Sequence, residues 1–298
     1  MMGERRQVRG AVMTRDGRKG MRKGIIWSVI VAVLCLACRA APTATPIPPA
    51  TPTAEPVLKT GLYAEDVEVL CSTDNPAAAK AYNTARQRRE AGDWAEAESL
   101  YRKAIELDPG YCDAMDNLGQ LLRASGRSDE AIDWYLRSLQ IHPDNLVAHQ
   151  NLAAVYQLQG RYQEALDQYG ELLRLDPDGA EAYYGQGVVL VGMKRYAEAI
   201  VAIEAAYQRY ESVGSPYIGD AVWLLAQAHF ALGQWTPARS YLERLQPAAD
   251  TEPLFNYMLG VCWALGDAPN QETARTYLER AAEMGIAEAR VLLEQWGR

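Results

Sequence analysis

The sequence predicts an all-α protein, an α-solenoid of about six stacked helix-turn-helix repeats closed by a C-terminal capping helix. Three observations predict it. Residues 78–298 repeat themselves at a spacing of 34, as expected when each unit is one supersecondary motif that buries its apolar face only by stacking on its neighbours. Small residues recur in register, which lets paired helices approach closely. Glycine and proline also recur in register, where one helix must end and the next unit begin. Two Phe against 17 Tyr, with 49% hydrophobic residues overall, suit helices packed through small side chains better than a β-sandwich. The length of 298 residues allows one or two domains.

The elements follow in chain order. Residues 1–38 carry eight Lys/Arg against Glu4 and Asp16, whereas residues 39–298 carry 22 basic and 36 acidic residues, a net −14. A body this acidic repels phosphate backbones, which argues against nucleic-acid binding. Ile25 to Ala37 is an uncharged apolar run of 13 residues preceded by Arg22 and Lys23. It is short for a bilayer span, which needs about 20 residues, and has the length of a secretory-signal core. Residues 1–37 are therefore expected to be a signal peptide, with translation starting at Met21 or Met13 as alternatives to Met1. The end of the run, "CLAC", resembles a bacterial lipobox: Ala37 fills the small slot before the modified cysteine, and Cys35 stands where Leu is usual. The resemblance implies lipidation of Cys38, cleavage before it and export to a membrane-anchored, extracytoplasmic position; the alternative is an uncleaved signal anchor. Residues 38–57, rich in Pro, Thr and Ala, cannot bury enough surface to fold and read as a tether. Residues 58–77 form a pre-repeat segment.

The repeats are legible in columns. "GDWAEAESLYRKAIELDP" (92–109) recurs as "GRSDEAIDWYLRSLQIHP" (126–143) and "GRYQEALDQYGELLRLDP" (160–177). Ala85, Gly119, Ala153 and Gly187 form one small column, continued by Ala226 and Gly260; Ala97, Ala131, Ala165, Ala199 and Ala238 form another. Gly92, Gly126, Gly160 and Gly233 mark the end of a first helix, Pro109, Pro143 and Pro177 the end of a second, and Tyr101, Tyr135 and Tyr169 fill the space between. The units are 78–111, 112–145, 146–179, 180–218, 219–252 and 253–286, with residues 287–298 as the cap. The fourth has Lys194 in the glycine column and an insertion near "ESVGSPYI", expected to lengthen its second helix or add a loop. The fifth ends early at Pro247, and "GDAPNQE" stretches the turn of the sixth.

This pattern resembles the tetratricopeptide repeat (TPR). The resemblance implies a right-handed solenoid that binds peptides or partner proteins on a concave face lined by the first helix of each repeat. Residues at i, i+4 and i+7 share one face of a helix. That face is Tyr82, Arg86 and Arg89 in the first unit, Asp116, Gln120 and Arg123 in the second, and Gln150, Ala154 and Gln157 in the third. It continues as Tyr184, Val188 and Val191, then Trp223, Gln227 and Phe230. The groove is thus expected to be basic at its N-terminal end and apolar-aromatic at its C-terminal end, suiting a partner segment with an acidic and an apolar part. The competing reading makes these valines and Phe230 ordinary inter-helix packing and the arginines solvated. Asn83, Asn117 and Asn151 form a further column, whose Asn contacts a peptide backbone in some relatives. The carboxylate clamp of relatives that hold chaperone tails is not reproduced, since only Asn117 matches it.

The sequence contains no phosphate-cradling glycine loop and no nucleophile elbow. Its three histidines, His142, His149 and His229, lack metal-ligand spacing. No catalytic residue, cofactor, metal or small-molecule substrate is expected. Cys71 and Cys112 are either a disulfide that pins the pre-repeat segment over the first repeat or two free thiols, and Cys262 is a small core residue. The expected function is a non-catalytic, membrane-tethered scaffold for envelope proteins. The alternatives are a regulatory subunit of an envelope peptidase or murein hydrolase, and a cytoplasm-facing adaptor on an uncleaved anchor.

Overall fold

The computed structural model describes residues 71–245 and 251–296. The expected signal peptide, the expected lipidation at Cys38, the expected tether, most of the pre-repeat segment and the expected break at Pro247 lie outside the described residues. Among the described residues, thirteen α-helices form six consecutive antiparallel-type pairs and a final helix. The first pairs are α1 (Pro76–Glu90) with α2 (Trp94–Leu107), α3 (Cys112–Ala124) with α4 (Ser128–Ile141), and α5 (Leu146–Leu158) with α6 (Tyr162–Leu175). Next come α7 (Ala180–Gly192) with α8 (Tyr196–Val213), α9 (Ile218–Ala231) with α10 (Trp235–Arg244), and α11 (Pro253–Leu265) with α12 (Gln271–Glu283); α13 (Ala287–Trp296) packs on α12. Each second helix also packs against the first helix of the next pair, so the stack is continuous. Among the described residues no helix is long and apolar enough to cross a membrane.

The small columns mark where the two helices of a pair meet. A Cβ built on Gly119 would lie 2.5 Å from the Tyr135 ring, and one on Gly187 would lie 2.3 Å from Ile203 Cγ1. On Gly260 it would lie 2.7 Å from Leu278. The side chains opposite are fully buried, as are Ala97, Ala131, Ala165, Ala199 and Ala238 of the other small column. Such contacts cannot yield without moving a helix, because interiors are packed as densely as organic crystals.

The turns obey a different constraint. Gly92, Gly126, Gly160 and Gly233 take the left-handed conformation, with φ between 70° and 86°. A Cβ on the first three meets nothing within 4 Å, so glycine is needed there for backbone conformation rather than for space. Lys194 occupies the same place in the fourth pair at φ 60° without glycine's freedom. The insertion of that pair lengthens α8 to 18 residues, against 14 in α2, α4 and α6, and Gly214 ends it at φ 63°. The fifth pair has the shortest second helix, α10, of 10 residues. In the sixth, the turn runs from Gly266 to Asn270, whose side chain accepts from Thr273 N to start α12.

The N-terminal end is held covalently. A disulfide joins Cys71 to Cys112 at the start of α3, closing a loop of 41 residues around the first pair. In a chain-entropy treatment, closing such a loop stabilises the fold by about 4 kcal/mol. Thr73 donates to Asp108, Asn75 Nδ2 donates to the Leu107 carbonyl at 2.9 Å, and Asn75 Oδ1 caps α1 through Ala77 N and Ala78 N. Cys262 is a free, fully buried thiol in the C-terminal core.

One polar network is buried inside the stack. Asn145 caps α5 through Val147 N and Ala148 N, and its Nδ2 donates to Asp116 Oδ2 at 2.7 Å and to Ser138 Oγ at 3.0 Å. Asn145 thereby joins α3, α4 and α5. Asp116 is 2% exposed, and burial pushes its carboxyl up to about 7, against hydrogen bonds from Asn145 and Ser138 that lower it. The nearby Asp113 carboxylate adds to the rise.

Two outcomes are expected from these features. Replacing Lys194 by Gly relieves the left-handed strain and should stabilise the fold by about 0.5–1 kcal/mol, whereas Gly119→Ala should cost about 1–3 kcal/mol, both measured by urea denaturation. In the second, the folded protein binds more protons than the unfolded chain between the ordinary aspartate range and pH 7, so the Asp116 contribution to stability is lost as pH rises through that window. Asp116→Asn should flatten the decline between about pH 4 and pH 7 in thermal melts; an unchanged slope would place the titration elsewhere.

Candidate partner-binding face

The first helices place their i, i+4, i+7 residues along one side of the stack. In α1 the Tyr82 ring lies 5.9 Å from Tyr101 and 5.0 Å from Tyr111, which leaves it half-buried at the junction of the first two pairs. Burial pushes its hydroxyl up to about 12, with the Asp113 carboxylate adding to the rise and Arg86 opposing it. Asn117 Nδ2 donates to the Tyr82 oxygen at 3.1 Å and to the Asp113 carbonyl at 2.9 Å. Arg89 Nη1 donates to Asn117 Oδ1 at 3.1 Å and, more distantly, to Gln120 Oε1 at 3.5 Å. Arg86, one turn before Arg89, is exposed and makes no hydrogen bond or ion pair with any described residue. Arg123 is half-buried, and its charge opposes the upward effect of burial on the Tyr135 hydroxyl.

The structure thus brings Tyr82, Arg86, Arg89, Asn117 and Gln120 into one connected surface on α1 and α3, with Arg123 further along α3. It adds Asp113, which stands at i of an i, i+4, i+7 set with Asn117 and Gln120 on α3, and Tyr111, which is buried beside the Tyr82 ring. Burial raises the Asp113 carboxyl above the ordinary aspartate range.

Further along the stack the expected face narrows. Gln150, Tyr184, Val188 and Trp223 remain partly exposed, and Tyr184 and Trp223 pack beside Tyr210 and Phe255 at centroid distances of 6.3 and 6.5 Å. Phe230 is not a groove residue. It is 2% exposed, edge-on to Trp235 at 5.1 Å and close to Tyr257 at 6.2 Å, inside the C-terminal core. Asn151, at 3% exposed, is likewise interior, as are Asp116, Val191 and Gln227. The physical reason is coverage: α9 is packed by α7, α8 and α10, and Phe230 on it lies under Trp235 of α10 and Tyr257 of α11. The apolar part of the face is therefore confined to Tyr184, Val188 and Trp223.

The remaining polar residues of the first helices serve the fold. His149 spans two acceptors, with Nδ1 2.8 Å from Gln168 Oε1 and Nε2 2.9 Å from the Pro143 carbonyl. His229 stacks on Tyr241 and contacts Gln234 through Nδ1 at 2.6 Å. Among the described residues no group of three or more His, Cys, Asp or Glu is placed to hold a metal ion.

Solved structures share this architecture. Pseudomonas aeruginosa pilF aligns over 74% of this chain and 97% of its own, at 19% identity and a TM-score of 0.59. YrrB, described as a TPR protein with an unusual peptide-binding site, aligns over 65% of this chain and 97% of its own, at 20% identity and a TM-score of 0.56. The MamA protein aligns over 59% and 96%, at 22% identity and a TM-score of 0.52. At these identities the likeness is one of fold. No curated protein matches the chain. Family models of the tetratricopeptide repeat match residues 76–144, 111–178, 152–214 and 190–261, a continuous span from 76 to 261 that holds five of the six helix pairs and part of the sixth. The chain belongs to the tetratricopeptide repeat family.

Proposed function

We propose that this protein is a non-catalytic scaffold, tethered to a membrane on its extracytoplasmic side, that captures a segment of a partner protein on the face formed by α1 and α3. The observation that carries the reading is a pair of arginines on that face, Arg86 and Arg89, that make no ion pair with any described carboxylate. Among the described residues Arg86 has no carboxylate partner and Arg89 is held by side-chain amides, while the chain beyond residue 38 has a net charge of −14. A cationic patch on an acidic body favours an acidic segment and repels the rest of a similarly acidic partner. Tyr184, Val188 and Trp223 would take an apolar stretch of the same segment.

The tether reading rests on the lipobox-like "CLAC" before Cys38 and the Pro/Thr/Ala tract behind it. The Cys71–Cys112 disulfide supports it, because such bonds persist in oxidising compartments outside the cytosol. YrrB, whose solved structure is similar in fold, is described as having an unusual peptide-binding site, which supports a reading of peptide capture here.

The combined substitution of Arg86, Arg89 and Arg123 by Ala should reduce recovery of envelope partners in a pull-down at least tenfold, with the melting curve preserved. Capture at the wild-type level would remove the face from the function. Cys38→Ala should separately abolish incorporation of a labelled lipid precursor and release the protein from membranes.

A further inference from the structure

We infer that Asn117 and Gln120 are positioning residues that orient Arg89 without pairing its charge, and that Arg86 and Arg89 form a subsite for two side-chain carboxylates of the bound segment. The inference rests on the reading of this face as the partner-binding surface and specifies its ligand chemistry.

The argument begins with what holds each arginine. Most arginines elsewhere in the stack pair with carboxylates: Arg127 with Glu98 and Glu130, Arg161 with Glu164, Arg195 with Glu198, and Arg174 with Asp144 and Glu171. Arg88, adjacent to Arg89 but pointing off the face, pairs with Asp93 and Glu96 at 3.3 Å each. Arg89 is held instead by two amide oxygens. A neutral acceptor orients a guanidinium without cancelling its charge, and one Nη1 spent on amides leaves the other donors of the fork available. Asn117 is fixed in turn: both of its amide hydrogens are engaged, by Tyr82 and by the Asp113 carbonyl. The Asn column of this protein is thus committed to internal bonds at Asn117 and to the core at Asn151. Recognition passes to the guanidinium groups, whose planar forks match carboxylates.

Spacing selects the segment. Arg86 and Arg89 are neighbours on the helix surface, with Cβ atoms about 5–6 Å apart. In an extended chain, residues i and i+2 point to the same side and lie about 6.5–7 Å apart. The site therefore fits an extended acidic segment of the form Glu-x-Glu or Asp-x-Glu.

The test uses fluorescence anisotropy of the purified chain with a labelled Ala/Leu peptide carrying Glu-x-Glu and with its Gln-x-Gln counterpart. The Glu peptide should bind at least tenfold more tightly, and the difference should shrink with added salt. Gln120→Glu and Asn117→Asp each set a carboxylate on Arg89 and should weaken the Glu peptide about five- to tenfold while leaving the weak Gln peptide unchanged. Gln120→Glu disturbs no donor of its own, so it separates loss of charge from loss of fold. Wild-type affinity in both variants, with binding still lost in Arg86→Ala/Arg89→Ala, would overturn the positioning role alone. Wild-type affinity in all of them would overturn the face itself. Equal binding of the Glu and Gln peptides, or binding of a phosphoserine peptide in place of the Glu peptide, would overturn the carboxylate assignment.

Discussion

Everything in this molecule depends on how closely the two helices of a pair can approach. At Gly119 there is no room for even a methyl group against Tyr135, and Gly187 and Gly260 stand in the same relation to Ile203 and Leu278. Contacts of this kind fix the rotation and height of each first helix relative to its partner, and the next pair is then placed by packing on the second helix. A side chain on the inner side of α1 consequently has a defined neighbour on α3. The bonds from Arg89 to Asn117 and from Asn117 to Tyr82 cross between pairs, and they form because the cores beneath them leave no freedom of register.

How far the sequence disclosed this follows from what kind of constraint each feature obeys. Column residues act within one pair, so a 34-residue spacing reveals them directly. Gly92, Gly126 and Gly160 are visible because the turn demands positive φ, and the same logic made Lys194 conspicuous before its φ of 60° was known. The expectation of either a longer helix or a loop at the fourth repeat resolves to a longer α8, since Gly214 supplies the left-handed residue that ends it. Coverage was less legible. Helical periodicity states that Trp223, Gln227 and Phe230 share a side, but not that Trp235 of α10 and Tyr257 of α11 cover Phe230 until it is interior. Networks between repeats were least legible, because nothing local marks Asn145 as the partner of Asp116, 29 residues away.

The electrostatic pattern has the same layered origin. Arg127, Arg161 and Arg195 each follow or replace the turn residue of their repeat, and each reaches the Glu three positions on. These pairs are exposed and contribute little to stability, yet they compensate charge along the turns between the helices of a pair. Against that background, Arg86 and Arg89 pair with no carboxylate among the described residues, and Arg89 is held by side-chain amides.

The position of this face explains the disulfide. A terminal repeat has one stacking neighbour instead of two, so it is the unit most prone to open, and a binding face spread over α1 and α3 would lose its geometry whenever the first pair separated. The two ends of the array meet this problem differently. At the C-terminus an extra helix, α13, packs on α12 and buries Ala289. At the N-terminus α1 has Lys80, Asn83 and Gln87 exposed. The covalent link from Cys71 to Cys112, with the Thr73 and Asn75 bonds beside it, ties this end of the array to the second pair. It crosses the same α1–α3 junction as the Tyr82, Arg89 and Asn117 contacts, and so holds together the two helices on which the carboxylate subsite depends.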